Sequence, residues 1–234
     1  MKIAIMQPYV FPYIGYFQLI NAVDTFVFYD DVNFIKKGFI NRNTLLVDGE
    51  KYQFTIPCKS ISQNKLILEI DLSFDEKSKS KLLKTIEQAY QKAPFFNVVF
   101  PLLEQFINNN ASKTISDFAI ESVKLIANYL NIKKKWIVSS INHYDTKEFK
   151  KEQRLIQIAK KEQTTIYINP IGGIDLYDKE DFDEKQLTLK FLRSEPSTYK
   201  QFTNEFVPYL SIIDVIMFNS IDKTKSLLNQ YKLI

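Results

Sequence analysis

The sequence predicts an α/β fold: a mostly parallel, twisted sheet flanked by helices, with an inserted β-hairpin and a helical layer. Three observations predict it. Two short apolar runs, Lys2–Met6 and Thr25–Tyr29, bracket a segment with helical apolar spacing. An Asp48-Gly49 pair between Thr44–Val47 and Tyr52–Ile56 marks a hairpin. From about Glu76 to Leu130 the apolar period is helical, after which strand-like runs return.

Each element has its own warrant. Ile14, Phe17 and Ile20 recur at helical spacing, so Ile14–Ala22 reads as the helix of a compact βαβ unit. Leu66–Leu72 reads as a third strand beside the hairpin, giving an insertion at about 44–72. Within the helical segment, about 76–130, three faces stand out: Leu82, Leu83, Ile86, Ala89 and Tyr90; then Val98, Leu102, Leu103 and Phe106; then Phe118, Ala119, Ser122, Val123, Ile126 and Leu130. Pro94 and Pro101 are read as borders of the helices that precede the last of these. Trp136–Ser139, Thr165–Ile168 and Leu187–Leu192 are expected strands, with a helix from about Thr146 to Glu162. The C-terminus is expected to be helical over Ile212–Met217 and Thr224–Tyr231. No repeat or low-complexity linker divides the chain, so residues 1–234 read as one domain.

Composition narrows the function classes. The net charge of +4 is small and lysines alternate with acids, which argues against a nucleic-acid partner and leaves room for a cleft that takes an anionic small molecule. One cysteine, Cys58, rules out an internal disulfide framework and fits a reducing, cytoplasmic compartment. No apolar run reaches the ~20 residues of a membrane span, and no secretory signal opens the chain. No motif specifies a cofactor: GxGxxG, the Walker loop and the GxSxG elbow are all absent. Only three arginines occur, Arg42, Arg154 and Arg193, so each calls for an explanation.

The candidate site residues cluster just past expected strand ends, where ligands bind in open α/β sheets. Gln7, Tyr9 and Tyr13 follow the first strand and offer hydrogen bonds and aromatic faces to a base or a sugar. Asp30 and Asp31 follow the second; as neighbours on an extended chain they are expected to point to opposite sides, with Asp31 toward the ligand. Lys36, Lys37, Asn41, Arg42 and Asn43 form a dense block in which Arg42 brings a fork suited to phosphate or carboxylate, or else pairs with Asp30 or Asp31. Lys59 and Asn64 sit in a polar loop placed to close over a site. Gly172 and Gly173, after an expected strand, permit close backbone approach to a ligand. His143 is the single histidine; it is a candidate base, and its uniqueness excludes a multi-histidine zinc site. The site is expected where Gln7–Tyr13, Asp30–Asn43 and part of Asn169–Gly173 converge.

Several of these blocks together resemble the WbqC-like protein family. They are Met6-Gln-Pro-Tyr with Phe11-Pro-Tyr-Ile-Gly-Tyr-Phe17, Tyr29-Asp-Asp-Val, Lys37-Gly-Phe-Ile-Asn-Arg-Asn43, Thr55-Ile-Pro57, Ile67–Ile70, Ala93-Pro94-Phe-Phe96 and Leu210-Ser-Ile-Ile-Asp214. The likeness runs in order from Lys2 to about Asn219. Phe39 departs from an expected tryptophan, and Asn219-Ser220 from Asn-Cys-Gly. The resemblance implies a place in bacterial surface-polysaccharide (O-antigen) biosynthesis and amino-sugar modification. The opening strand, Pro-containing turn and Gly15-led helix also resemble the nucleotidylyltransferase-like fold, but no histidine stands at that helix start.

The expected function is transfer of an acyl or aminoacyl group to the amine of a nucleotide-linked amino sugar, with Asp31 or His143 as the base. Two alternatives stand beside it: a nucleotidylyl- or adenylyl-transferring enzyme on a related fold, and a non-catalytic sugar-nucleotide-binding or scaffold protein of the same pathway.

Overall fold

A computed structural model describes residues 1–195, 198–202 and 205–234. In chain order the strands are β1 (Lys2–Met6), β2 (Thr25–Phe28), β3 (Arg42–Val47), β4 (Glu50–Thr55), β5 (Lys135–Val138), β6 (Ile166–Pro170), β7 (Thr188–Ser194) and β8 (Tyr231–Leu233). The helices are α1 (Ile14–Ala22), α2 (Glu76–Tyr90), α3 (Phe96–Asn109), α4 (Ile115–Tyr129), α5 (Ser139–Asn142), α6 (Lys151–Lys161), α7 (Lys179–Asp183), α8 (Ile212–Phe218) and α9 (Ile221–Leu228).

Among the described residues, six strands form one sheet in the order β5-β2-β1-β6-β7-β8, all parallel except β8, which runs antiparallel to β7. β3 and β4 pair separately as an antiparallel hairpin. The chain first builds outward from β1 through β2 to β5, then returns to the other side of β1 for β6 and β7. The order therefore reverses between β1 and β6, which makes their carboxyl ends a topological switch point.

Alternation along the strands sorts the two cores. Ala4, Phe26, Phe28, Ile168 and Leu192 face one layer, packed with side chains of α1, α4, α8 and α9. Ile3, Ile5, Val27, Tyr167, Leu189 and Phe191 face the other, against Leu155, Ile156 and Ile158 of α6 and Phe182 of α7. Each fully buried aliphatic or aromatic side chain contributes about 1.5–3 kcal/mol, so the sheet is held from both sides. No helix among the described residues is long and apolar enough to cross a membrane.

Four sequence expectations are corrected. Leu66–Leu72 is not a strand: Ile67–Glu69 is a 3-10 turn, and the flanks make only isolated bridges, Asn33 to Leu66 and Cys58 to Leu72. Pro101 lies inside α3 rather than at a border, with its ring exposed, and lacking an N–H it leaves out one intrahelical hydrogen bond. The helix expected from Thr146 starts only at Lys151, after a 3-10 turn over Tyr144–Thr146. The last helix ends at Leu228, and Tyr231–Leu233 closes the sheet edge as β8.

Candidate functional site

A cleft of about 520 Å³ opens at the switch point, within the range of small-molecule sites. Gln7, Tyr9 and Tyr13 line it from the segment after β1, with Tyr29, Val32, Ile35 and Phe39 from the segment after β2. Asn169, Ile171, Gly172, Gly173, Leu176 and Tyr177 line it from the end of β6 and the 3-10 turn beyond. A larger groove of about 980 Å³ lies over α3, α4 and the end of β5, lined by Asp30, Gln105, Asn110, Asp117, Lys124 and Ser140 among others. It is more open and has one aromatic wall residue, Phe106, against six in the cleft, so the switch-point cleft is the candidate site.

The loop that carries Tyr9 and Tyr13 is held under strain. Phe11 is fully buried with φ of 39°, a left-handed backbone that bulky residues rarely adopt. Four hydrogen bonds fix it there. Phe11 N donates to Ser122 Oγ at 3.1 Å, and Ser211 Oγ donates to Phe11 O at 2.7 Å. Asn43 Nδ2 donates to Val10 O at 3.1 Å and Phe11 O at 2.8 Å. Tyr9 then packs against Tyr16 and Phe39, with ring centroids 5.5 and 5.9 Å away. The Tyr13 ring lies over Gly15, where an added Cβ would come within 2.4 Å of it, so a larger residue there would have to displace the ring.

Among the described residues, no carboxylate, imidazole, ammonium or guanidinium lines the cleft. Burial pushes the Tyr9 phenol up to about 12, with Tyr13 adding to the effect. Burial also raises Tyr13 and, much further, Tyr167. Tyr29 is raised by burial too, although Arg154 pulls it back. These phenols therefore stay protonated near neutral pH and present hydroxyls rather than charge.

Asp30 and Asp31 lie behind the Tyr29–Val32 wall. The expectation that they point apart is corrected: the chain bends after Phe28, and both carboxylates reach Ser139 Oγ, that of Asp30 at 3.0 Å. Asp30 also accepts from Ser140 N at 3.0 Å and Ser140 Oγ at 2.7 Å. Asp31 forms a buried ion pair with Arg154, which also donates from Nε to Thr146 Oγ1 at 3.2 Å. Arg42 pairs with neither aspartate. It braces the rim loop instead, donating to Gly38 O at 2.9 Å, to Lys37 O, and to Gln53 Oε1 at 3.3 Å.

The remaining sequence candidates fall as follows. Lys36 and Lys37 are exposed on the same rim, between the cleft residues Ile35 and Phe39. Asn41 is buried and donates to Ile56 O at 3.1 Å, bracing the hairpin. Lys59 and Asn64 are exposed in the loop after the hairpin and do not line the cleft; Lys59 borders a small polar pocket with Asp71, Lys79 and Lys113. His143 is buried beneath the β5 edge, its Nε2 3.1 Å from Glu162 Oε1, and does not line the cleft either. Burial lowers its pKa, opposed by Glu162. Cys58 is pushed up to about 12 by burial and is an unreactive thiol.

Sequence reasoning does not single out Tyr29, Tyr167 and Tyr177 as cleft walls, nor Ser139 and Arg154 as the partners of the aspartates. The scarcity of arginine is the one signal that points to Arg154.

Fold and cleft together define an open, doubly wound α/β protein with an aromatic cleft at its switch point. The chain belongs to the WbqC-like protein family, whose model matches residues 7–226. It is 26% identical over 229 residues to the uncharacterized protein Rv1507c of Mycobacterium tuberculosis, with 93% of each chain covered. No solved structure matches it.

Proposed function

We propose that the switch-point cleft binds a nucleotide-linked amino sugar, and that the protein transfers an acyl or aminoacyl group to its amine in bacterial surface-polysaccharide biosynthesis. Membership of the WbqC-like family is consistent with a role in polysaccharide biosynthesis. The observation that carries the binding reading is the meeting of Tyr9, Tyr29, Phe39, Tyr177 and Asn169 in one cleft at the switch point. Aromatic faces suit a base or a sugar ring, and an amide suits its polar edge. Lys36 and Lys37, on the rim, stand where a diphosphate leaving the cleft would meet them. In this reading Asp31 acts from behind the wall as a positioning residue: it fixes Arg154, whose guanidinium carbon lies 4.9 Å from the centre of the Tyr29 ring.

A second reading is favoured by one observation. With no charged group lining the cleft among the described residues, no carboxylate or imidazole stands ready to take the amine proton. A non-catalytic sugar-nucleotide-binding protein of the same pathway needs none. Calorimetry with a panel of nucleotide-linked amino sugars, followed by turnover assays with acyl thioester donors, tests both. Binding with acyl transfer supports the enzyme, binding without turnover supports the second reading, and no binding refutes both.

A further inference from the structure

We infer, resting on the sugar-nucleotide reading of the same cleft, that Asn169 is its specificity-determining residue: its side-chain N–H recognises a carbonyl oxygen on an uncharged ring. Asn169 sits at the end of β6, is 7% exposed, and lines the cleft. The buried Tyr167 hydroxyl donates to Asn169 Oδ1 at 3.2 Å, which leaves Nδ2, packed against Gly173, as the donor of the pair.

That donor is underused. Nδ2 makes one long bond, 3.4 Å, to Pro170 O, and its second N–H has no acceptor among the described residues. A nearly buried amide N–H without a partner is costly, so the position asks for an acceptor. The backbone is adapted to keep the amide there. A Cβ on residue 173 would come within 2.0 Å of Asn169 Nδ2, so Gly173 is what makes room for it. The glycine and the asparagine form one device.

The acceptor's class follows from the surroundings. Among the described residues no cation lines the cleft, so a phosphate or carboxylate would be desolvated without a counter-charge. A neutral carbonyl carries no such penalty. Tyr9, Phe39 and Tyr177 offer the ring that bears it aromatic faces. Both ends of a nucleotide-linked amino sugar can supply this chemistry: the carbonyl of a nucleobase, or the N-acyl carbonyl of the sugar.

The test is calorimetry on the full chain and on Asn169→Asp, Gly173→Ala and Tyr167→Phe, with thermal melts to verify folding. The probes are uridine, thymidine, N-acetylglucosamine, glucosamine and pyrophosphate. The native protein is expected to bind either the nucleosides or N-acetylglucosamine, and which of these binds names the source of the carbonyl. Glucosamine, which lacks the carbonyl, is expected to bind at least about tenfold more weakly than N-acetylglucosamine if the sugar is that source. Asn169→Asp and Gly173→Ala should each weaken the carbonyl-bearing probe about tenfold or more, and Tyr167→Phe less. Folded variants with native affinity for that probe would overturn the inference. So would binding of pyrophosphate with none of the ring probes, an outcome that still leaves nucleotide-sugar binding standing. Absence of binding by any probe and by any nucleotide-linked sugar would overturn both.

Discussion

Asp31 and Arg154, 123 residues apart, form an ion pair in which both side chains are almost fully buried, and the same guanidinium lies against the Tyr29 ring that walls the cleft. The pair ties α6 to the turn after β2 and so fixes one side of the candidate site. Removing one partner leaves the other charge buried and uncompensated, which costs about 3–5 kcal/mol. Arg154→Met and Asp31→Asn should each approach that loss in urea denaturation, and the double variant should be less destabilised than their sum. Additive losses would show that the two groups are not coupled.

Asn43 is expected to act on stability before it acts on ligand. Its amide donates two buried hydrogen bonds that hold Phe11 in its left-handed backbone. Asn43→Ala should lower stability by about 1–3 kcal/mol in denaturant melts. Because Tyr9 and Tyr13 ride on that loop, affinity for any cleft ligand should fall as well. Native stability in the variant would show that the loop holds itself.

Arg42 and the rim lysines separate by their salt dependence. Arg42 is engaged with Lys37 O, Gly38 O and Gln53, whereas Lys36 and Lys37 are exposed. Arg42→Ala should loosen the rim, cost about 0.5–1.5 kcal/mol of stability, and leave the salt dependence of nucleotide-sugar affinity unchanged. Replacing both lysines by alanine should leave stability unchanged and flatten that dependence. A flattened dependence in Arg42→Ala would instead give the arginine an anion-binding role.

His143 should appear in a pH–stability profile and hardly at all in ligand binding. Burial lowers its folded pKa below the unfolded value of about 6.5, so the native state binds fewer protons than the unfolded chain. Its contribution is therefore fully present above pH ~6.5 and is lost as pH falls from there through the folded pKa. His143→Asn should remove that acid-side slope in melts between about pH 5 and 7, and should harm activity less than Asp31→Asn. An unchanged slope would show that the imidazole titrates alike in both states.

Much of this architecture is legible in the sequence because its signals are local. The βαβ opening follows from two apolar runs and one helical period, and Asp48-Gly49 marks the hairpin, with Gly49 at φ of 83°. What is not legible depends on tertiary partners. Leu66–Leu72 is apolar like a strand, but its backbone pairs piecemeal with Val32, Asp30 and Lys113, so no ladder forms. The bend after Phe28, which turns both aspartates onto Ser139, has no sequence marker, and Ser139 lies 108 residues from Asp31. The need for glycine at 173 becomes visible only once Asn169 is seen to occupy the Cβ position.

The most direct test of the central claim is hydrogen exchange on the full chain, with and without a saturating nucleotide-linked amino sugar. Slowed exchange should concentrate in three segments that meet at the switch point: Gln7–Tyr13, Ile35–Phe39 and Asn169–Tyr177. Protection confined to the groove over α3 and α4, or none in those three segments, would contradict the assignment of the site.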